Sequence, residues 1–337
     1  MSKTVTFGEI LFRFLEKDTP AMERGEDIEG SFGGSEANVA VSLTRLGDKV
    51  AYVTRLPEGK LTDDCVRMLN GYGIDTSGII KGGTRFGKYS VGDVSGPGRG
   101  NVKYYRAGSS FATSEPGVFP WKDIFADAGV FHCSGIAGAL SESAREATFE
   151  AVRAAKEMGL RISFDINYRK KLWAYPGADA HNTTHALMQY SDFIFGDQDE
   201  WEFATGIKQV PMDSLAPDSK LDMDRYREYF GHMHSQFPGC RDMMLGLRNQ
   251  LSTTHHVLTA LLWHDGTILG TRIWDITGIK DPVGVGDAFV AGFIHATSKW
   301  PSDPQKCLDF STAAAMLKNF VPGDFNLTTE SEILARL

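Results

Sequence analysis

Residues Asp281–Phe293 read DPVGVGDAFVAGF and combine two spaced glycines, a carboxylate and an apolar run. Gly284 and Gly286 allow a tight backbone path that directs several N–H groups at one point. If a helix begins at Gly286 or Asp287, its free N–H groups and positive dipole end contribute to the same point. The stretch therefore fits phosphoryl transfer to a hydroxyl, in which amides stabilise the transferring group and Asp287 accepts the proton. A second interpretation stays open, in which Asp287 only caps a buried helix.

A second glycine-rich stretch lies near the start of the chain, where residues 33–40 read GGSEANVA. Apolar residues follow at helical spacing until Gly47. Two glycines before a helix let the backbone approach a ligand closely. Asn38 lies one turn into this helix, where its amide could bond a ligand hydroxyl. A plain helix start with a surface Asn is the other interpretation.

Composition excludes several classes of protein. A length of 337 residues suits one large α/β domain with a small appendage, and 42% hydrophobic with 23% charged residues is ordinary for a globular protein. The net charge of −8 argues against nucleic acid or anionic membrane as a partner. No apolar run approaches the roughly 20 residues of a membrane span. The absence of a signal-peptide pattern and four widely separated cysteines without metal spacing favour a cytoplasmic protein with reduced thiols.

Strand and helix patterns alternate along most of the chain. Val5–Phe14 is predicted as a first strand, broken at Gly8-Glu9. The later predicted strands are 50–55, 128–133, 161–165, 193–196, 243–247 and 257–263, with helices at 61–72, 141–158 and 198–205. This alternation predicts an α/β fold with a central, mostly parallel β-sheet sandwiched by helices. Ligands bind such sheets beyond the C-terminal strand ends, where the polar segments 134–136, 165–169, 196–197 and 247–248 fall.

Residues 87–94 and 101–107 are predicted as two strands joined by a Gly- and Pro-rich turn. This hairpin interrupts the strand–helix rhythm, so we expect it to leave the main sheet. Alternate residues of a strand share a face, which places Tyr104 and Arg106 together and Tyr105 opposite. The preceding segment, 82–88, matches G-x-x-x-x-G-K, but Tyr89 stands where Ser or Thr is required and a strand follows. We therefore reject a phosphate loop there.

The two glycine-rich stretches resemble the signatures of the ribokinase-like sugar kinases. Residues 281–292 follow the C-terminal signature D-T-x-G-A-G-D-x-F-x-x-G, with Pro282 and Val285 in place of the Thr and Ala. Residues 33–40 follow the N-terminal signature G-G-x-x-x-N-x-A. The resemblance implies a ribokinase-like α/β fold with a small β-sheet lid over the substrate. It also implies one kinase domain over residues 1–337, with lid excursions near 10–32 and 87–107.

Three further segments are similar to the 2-keto-3-deoxygluconate kinases of that family. They are Asp165–Trp173 (D-x-N-Y-R-x-x-L-W), Tyr104–Arg106 (Y-Y-R) and Pro322–Asn326 (P-G-D-F-N). Arg forms two parallel hydrogen bonds with a carboxylate, which Lys cannot reproduce, so two arginines in the pocket suit a sugar acid. Together with Asn38, the substrate contacts that the resemblance implies are Gly34, Tyr89, Tyr104, Arg106, Ile136, Arg169 and Asp324.

The resemblance also implies the groups that act on ATP. Asp287 would be the general base, and the amides of Gly284, Val285 and Gly286 would form the anion hole. The family's Asn-x-x-Glu motif, whose Glu helps to hold Mg2+ through water, falls on residues 197–200. Here Glu200 fits and Asp197 replaces the Asn, while Arg248 is a candidate contact to the triphosphate. Whether a monovalent cation is also needed stays open.

The implied reaction is ATP-dependent phosphorylation of the terminal primary hydroxyl of 2-keto-3-deoxygluconate or a related sugar acid. The expected partners are the sugar acid and ATP, and the lid is compatible with a homo-oligomer. A fructokinase or ribokinase-type enzyme for a neutral sugar is the first alternative. A non-catalytic sugar-binding member of the fold is the second, and the intact Asp287 argues against it. A dinucleotide-binding dehydrogenase is excluded because no G-x-G-x-x-G follows the first strand.

Overall fold

The strands belong to two sheets in the computed structural model, which describes residues 2–92, 102–211 and 214–337. Within these ranges the strands are β1 (Lys3–Phe7), β2 (Leu11–Leu15), β3 (Ser31–Gly33), β4 (Val50–Leu56), β5 (Ile79–Lys81), β6 (Lys88–Val91), β7 (Val102–Tyr105), β8 (Ala128–Ser134), β9 (Arg161–Asp165), β10 (Phe193–Asp197), β11 (Asp242–Ser252), β12 (His255–His264), β13 (Thr267–Gly270) and β14 (Trp274–Thr277).

The helices connect these strands and cover the larger sheet. They are α1 (Thr19–Glu23), α2 (Ser35–Arg45), α3 (Lys60–Gly71), α4 (Trp121–Ile124), α5 (Gly135–Ala139), α6 (Glu142–Glu157), α7 (Ala180–Met188), α8 (Gln198–Thr205), α9 (Met223–Gln236), α10 (Val285–Lys299), α11 (Pro304–Lys318) and α12 (Glu330–Leu334), with 3-10 turns at Glu16–Asp18 and Lys170–Leu172. No helix in the described ranges is long and apolar enough to cross a membrane.

The main sheet has the order β13-β12-β11-β10-β9-β8-β1-β4-β5, with β14 also paired to β12. Neighbours from β11 to β5 are parallel, as the alternation of strands and helices predicts. The remaining strands, β12 to β14, pair antiparallel. This antiparallel edge was not predicted. It follows from the two-residue link between β11 and β12, which is too short for a parallel crossover.

Both faces of the main sheet are buried, because successive residues of its strands point into two different apolar clusters. Phe131 and Ile194 pack into the cluster that contains the buried Trp201. Their chain neighbours Val130 and Phe193 pack into the opposite cluster, with residues of α2, α10 and α11. A strand buried on both faces reads as a continuous apolar run, which is why β8 and β10 are readily recognised in the sequence.

The smaller sheet has the order β3-β2-β6-β7. β2 and β6 are parallel, and the other two pairs are antiparallel. Its strands lie within the two predicted lid excursions, although the turn at 95–100 lies outside the described residues. Residues Val5–Phe14 form two strands in different sheets rather than one broken strand, and the main chain changes sheet between Phe7 and Leu11. The predicted single kinase domain over residues 1–337 stays a prediction.

Segment 82–88 leads directly into strand β6, which begins at Lys88. A phosphate loop must open a helix, so the structure supports its rejection.

Candidate active site

Three of the four polar segments predicted to line the site lie at one edge of the main sheet, namely 134–136, 165–169 and 196–197. The fourth, 247–248, was predicted to follow a strand but lies inside β11. Strands β10, β9, β8 and β1 are adjacent and parallel, and their C-terminal ends therefore share that edge. Ser134 pairs with Asp165 in register, and Phe195 pairs with Asp165 from the other side. Gly135 is needed at this edge because a Cβ there would lie 2.3 Å from the carbonyl oxygen of Ile166. The loops after neighbouring strands thus pack closely and form the floor of a cleft.

The N-terminus of α10 presents free amides to this cleft. Gly284 is the N-cap residue with φ 80°, a left-handed conformation that favours glycine. The first intrahelical bond runs from the Ala288 N–H to the Gly284 oxygen. Within the described residues, the N–H groups of Val285, Gly286 and Asp287 therefore have no helical acceptor, as expected for a first turn. These amides and the helix dipole make the position suitable for an anion.

The carboxylate of Asp287 lies on the same turn and is buried. Its Oδ1 accepts a hydrogen bond from Ser35 Oγ at 2.7 Å, and its Oδ2 accepts one from Asn38 Nδ2 at 2.7 Å. Burial raises the pKa of Asp287 above its ordinary value, against the opposing effect of these two donors. The carboxylate is thus held in one orientation and is a stronger proton acceptor than a solvated Asp.

Asn38 contacts protein groups through both ends of its amide. While Nδ2 donates to Asp287, Oδ1 accepts from the Gly34 N–H at 3.2 Å. Nδ2 carries two hydrogens and donates one of them here, so the expected contact to a substrate hydroxyl stays a prediction. Gly34 itself lies against the link between β1 and β2, and a Cβ there would be 2.3 Å from the Glu9 oxygen. Asn38 therefore joins the two glycine-rich stretches and orients Asp287.

Ser35 and Asn167 extend the network that holds Asp287, and the sequence did not single out either as a site residue. Asn167 Nδ2 donates to Ser35 Oγ at 3.1 Å and to Asp165 Oδ2 at 3.0 Å. Asn167 has φ 40°, a conformation that Asn tolerates better than most residues. The signal available in the sequence was the position of both residues inside the motifs described above. However, the bonds that join Asn167 to Ser35 and Ser35 to Asp287 span 132 and 252 residues.

Asp165 and Glu200 form an acidic pair beside this network. Glu200 accepts a hydrogen bond from the Tyr168 N–H at 2.9 Å and from the Asp197 N–H at 3.0 Å. Burial and the Asp197 carboxylate raise the pKa of Glu200 to about 7. Burial, Glu200 and Asp287 likewise raise the pKa of Asp165. Such repulsion between buried acids is relieved when a cation binds nearby.

Asp197 has a local role that the predicted nucleotide contact did not anticipate. Its Oδ1 accepts from the Glu200 N–H at 2.9 Å, and the pair forms a capping box at the start of α8. The side chain that replaces the family Asn is therefore a good N-cap, and it remains exposed. Arg248 is exposed on β11, two residues beyond the Gly246 that pairs with Asp197.

The lid sheet contributes an aromatic pair and a buried arginine. Tyr104 stacks on Tyr89 with ring centroids 5.7 Å apart, and the Arg106 guanidinium lies 5.6 Å from the Tyr104 ring. Tyr105 instead packs against Phe14. Tyr104 and Arg106 thus contact each other, whereas Tyr105 packs elsewhere.

Arg106 is already paired with a carboxylate. Its Nε and Nη2 lie 2.6 and 2.5 Å from Glu9 Oε2, and Glu9 is buried. The Arg106 guanidinium was expected to hold a substrate carboxylate, and the Glu9 side chain was not predicted to take part. Because Glu9 neutralises it, Arg106 offers little net charge to a substrate.

Asp324 connects the lid to the loop before α10. It accepts hydrogen bonds from Tyr89 Oη at 2.5 Å and from Arg13 Nη1 at 2.8 Å. Arg13 Nη2 also reaches Asp281 Oδ2 at 3.3 Å. Arg13 was not predicted. Both Asp324 oxygens are thus occupied by lid residues, so a substrate hydroxyl would share or displace a contact.

Arg169 is the more accessible arginine of the site. It is about half exposed, with Nη1 donating to the Tyr168 oxygen at 3.2 Å and lying 3.6 Å from Glu200 Oε1. Its positive charge acts to lower the pKa of Asp287. Ile136 is half-buried at the start of α5, behind β8. The structure thus brings Arg169 close to the acids and leaves most of its donors available.

Glu36 allows the effect of burial on a carboxyl pKa to be tested, because the free energy of unfolding should then depend on pH. It is fully buried on α2, where it accepts from Ser134 Oγ, and burial raises its pKa to about 7. The folded-state pKa exceeds the unfolded value, so ionising Glu36 costs stability as pH rises from about 4.5 through 7. Glu36→Gln should raise the free energy of unfolding at pH 8 by up to about 3 kcal/mol. Denaturant titrations at several pH values measure this.

The gain from Glu36→Gln should disappear below about pH 4, because the carboxyl is then protonated in both the folded and the unfolded state. Glu58→Gln, at an exposed position, should show no such pH dependence. A stability difference between Glu36→Gln and the native protein that is the same at every pH would contradict the assignment.

A free helix N-terminus and a buried carboxylate on one turn, at the C-terminal edge of a parallel sheet, define a phosphotransferase-like site. Residues 1–231 match the pfkB family of carbohydrate kinases, and the chain belongs to that family. It is accordingly an ATP-dependent carbohydrate kinase with a ribokinase-like fold, as the motifs indicated.

Similar proteins cover nearly the whole chain. A 2-dehydro-3-deoxygalactonokinase of Haloferax volcanii is 30% identical over 334 residues, which is 98% of this chain and 95% of that protein. A 2-dehydro-3-deoxygluconokinase of Thermoproteus tenax is 27% identical over 326 residues, covering 96% and 90% of the two chains. The crystal structure of a 2-dehydro-3-deoxygluconokinase from Thermotoga maritima is 29% identical, with a TM-score of 0.86 over 100% of this chain and 99% of that one.

Proposed function

We propose that this kinase transfers the γ-phosphoryl group of ATP to the terminal primary hydroxyl of 2-keto-3-deoxygluconate or a closely related sugar acid. The observation that carries the chemistry is the juxtaposition of a buried carboxylate with free amides on one turn of α10. The support for a sugar acid is the exposed Arg169 at the cleft and the names of the most similar relatives. These names include both the gluconate and the galactonate derivative, which differ at one stereocentre.

In the proposed mechanism Asp287 accepts the proton of the attacking hydroxyl. Ser35 and Asn38 hold its two oxygens, so the carboxylate needs no reorientation during the reaction. The amides of Gly284, Val285 and Gly286 stabilise the charge of the transferring group. Arg169 binds the substrate carboxylate, and Tyr89 and Asp324 contact hydroxyls from the lid side.

The residues present fit a magnesium ion that accompanies the triphosphate. No cluster of three or more His, Cys, Asp or Glu in the described part of the chain could hold a metal by itself. Mg2+ usually keeps several waters and needs only one or two carboxylates besides the phosphates. Glu200, supported by Asp165, would hold it through water, and the ion would neutralise charge on the phosphates.

One observation favours a neutral sugar instead. Glu9 already neutralises the Arg106 guanidinium, which leaves Arg169 as the principal cation for a substrate carboxylate. Coupled assays with 2-keto-3-deoxygluconate, its galactonate epimer, fructose and ribose separate the two candidates. A kcat/KM for the neutral sugars that exceeds that for both acids would overturn the sugar-acid proposal.

Arg169→Lys tests the carboxylate contact directly. We expect kcat/KM for the sugar acid to fall about 10- to 100-fold, since Lys loses the bidentate geometry and charged hydrogen bonds contribute roughly 1.5–3 kcal/mol. Residual turnover of a neutral ketose should change little. Arg153→Lys, on the exposed face of α6, is the matched control and should leave both substrates unaffected. Equal losses for acid and neutral sugar would refute the contact.

A further inference from the structure

Lys318, the last residue of α11, is a fully buried cation that forms no ion pair with a carboxylate of the described residues. Its relative exposure is 0%. Its Nζ donates to the Val321 oxygen at 2.8 Å and to the Asp281 oxygen at 3.3 Å. Charged side chains are almost never fully buried unless they are paired, and here both of these partners are backbone carbonyls. Lys318 therefore has an unusual environment that packing alone does not explain.

The ammonium group of Lys318 lies between two loops. One leads to the Gly284–Gly286 amides at the start of α10, and the other follows α11 and carries Asp324. Asp281 begins the stretch that leads into the N-terminus of α10, and Val321 precedes the loop that carries Asp324. A Cβ on Gly284 would lie 3.4 Å from Lys318 Cε, so the lysine side chain packs directly behind the Gly284–Gly286 amides. Asp281 and Gly323 are further joined by a 3.0 Å hydrogen bond. The lysine thus contacts the backbone on both sides of the site.

The carboxylates around Lys318 partly offset the effect of burial on its pKa. Burial lowers the pKa of Lys318, and the carboxylates of Asp281, Asp324 and Asp287 act in the opposite direction. A Lys near a helix C-terminus is also favoured by the helix dipole. Helix capping alone would not require burial, because a capping lysine can bind terminal carbonyls from the solvent side.

Carbonyl oxygens that converge on one point are the ligands with which proteins replace the hydration shell of alkali ions. We propose that Lys318 is a positioning residue whose ammonium serves as a built-in monovalent cation behind the Gly284–Gly286 amides. It holds the carbonyls of Asp281 and Val321, and so fixes the loop that aims these amides at the transferring phosphoryl group. The reaction then needs no added monovalent cation. This inference rests on the proposed role of the Gly284–Gly286 amides in binding the transferring phosphoryl group.

The first test uses the native enzyme. Turnover is measured in tetramethylammonium chloride and in potassium chloride at equal ionic strength. Lys318 already supplies the cation, so we expect the same kcat in both salts. A severalfold activation by potassium would overturn the proposal, whatever the outcome with variants.

The second test replaces the cation. Lys318→Met should lower kcat about 10- to 100-fold, less than the roughly 10²–10³-fold loss on removing a direct oxyanion donor. The KM for the sugar should stay close to the native value. Ammonium or potassium chloride should restore part of the lost kcat, and tetramethylammonium should not, because it is too large for the space. A merely structural role would give no such ion-selective rescue.

Lys299→Met is the matched control, since Lys299 lies at the far end of α10 and pairs with Glu330. It should show neither the loss nor the rescue. Native kcat in Lys318→Met, or a loss that no small cation reverses in a folded variant, would refute the inference about Lys318. If Asp287→Asn also retains native turnover, the proposed function fails together with the inference about Lys318. If Asp287→Asn loses turnover, only the inference about Lys318 fails.

Discussion

Asp287→Asn is expected to lower kcat about 10²–10⁴-fold, the usual contribution of a general base, while the sugar binds almost normally. The variant removes the proton acceptor and keeps the shape of the side chain. It should also fold, because the Ser35 hydroxyl can rotate to accept from the new amide while Asn38 still donates to the remaining oxygen. Steady-state ADP release gives kcat, and calorimetric titration gives the affinity for the sugar.

Ser35→Ala is the matched variant for the base assignment, since it removes one donor from the Asp287 carboxylate. A hydrogen bond to the charged form lowers a pKa, so its loss should raise the pKa of Asp287 further. The acid limb of the kcat–pH profile should therefore move to higher pH, with only a modest loss at the optimum. Near-native turnover of Asp287→Asn, or an acid limb that Ser35→Ala leaves in place, would refute the assignment.

These two variants also illustrate what the sequence could reveal. The proposed base and the amides beside it could be singled out because Gly284, Gly286 and Asp287 lie within four consecutive residues, and short-range spacing fixes their geometry. The hydrogen bond between Ser35 and Asp287 joins residues 252 apart in sequence. No local pattern specifies such a pair, so only the resemblance to a family placed the two stretches together.

The side-chain contacts of the lid were also not predictable from local sequence patterns. The strand pattern of residues 87–94 and 101–107 predicted a hairpin outside the main sheet, and alternation placed Tyr104 with Arg106. The pairing of Arg13 with Asp324 spans 311 residues and depends on how the lid lies over the C-terminal loop. Likewise, Arg106 was predicted as a free cation because nothing near it in sequence identifies Glu9 as its partner.

Gly284→Ala and Gly286→Ala are both expected to lower kcat, but only Gly284→Ala should also lower the stability of the protein. At Gly284 the backbone is left-handed, and a Cβ would lie 2.2 Å from the Asp324 oxygen. A left-handed conformation costs a non-glycine residue roughly 1–2 kcal/mol, and the loop that carries Asp324 must also move. This variant should lose both thermal stability and at least about 10²-fold in kcat, by analogy with the loss of an oxyanion donor.

Gly286→Ala should lose activity without losing stability. Beyond its own helix, a Cβ there meets no atom of the described residues within 4 Å, and Ala favours a helix over Gly by about 1 kcal/mol. Its methyl group would enter the open space in front of the amides, where we place the transferring phosphoryl group. We therefore expect a melting temperature at or above the native value, together with a fall in kcat of about 10²-fold.

Gly292→Ala, on the same helix, should lose stability and keep its activity, which is the opposite of the result expected for Gly286→Ala. Its Cβ would lie 2.9 Å from Ser311 Cα, so α10 and α11 must separate slightly and stability should fall. Gly292 is one and a half turns beyond Asp287, and kcat per folded molecule should remain close to native. Melting curves and kcat measured on all three variants thus separate damage to the helix from damage to the anion site. A stable Gly286→Ala enzyme with native kcat would show that the phosphoryl group does not bind in front of Gly286, because a methyl group there would then obstruct nothing.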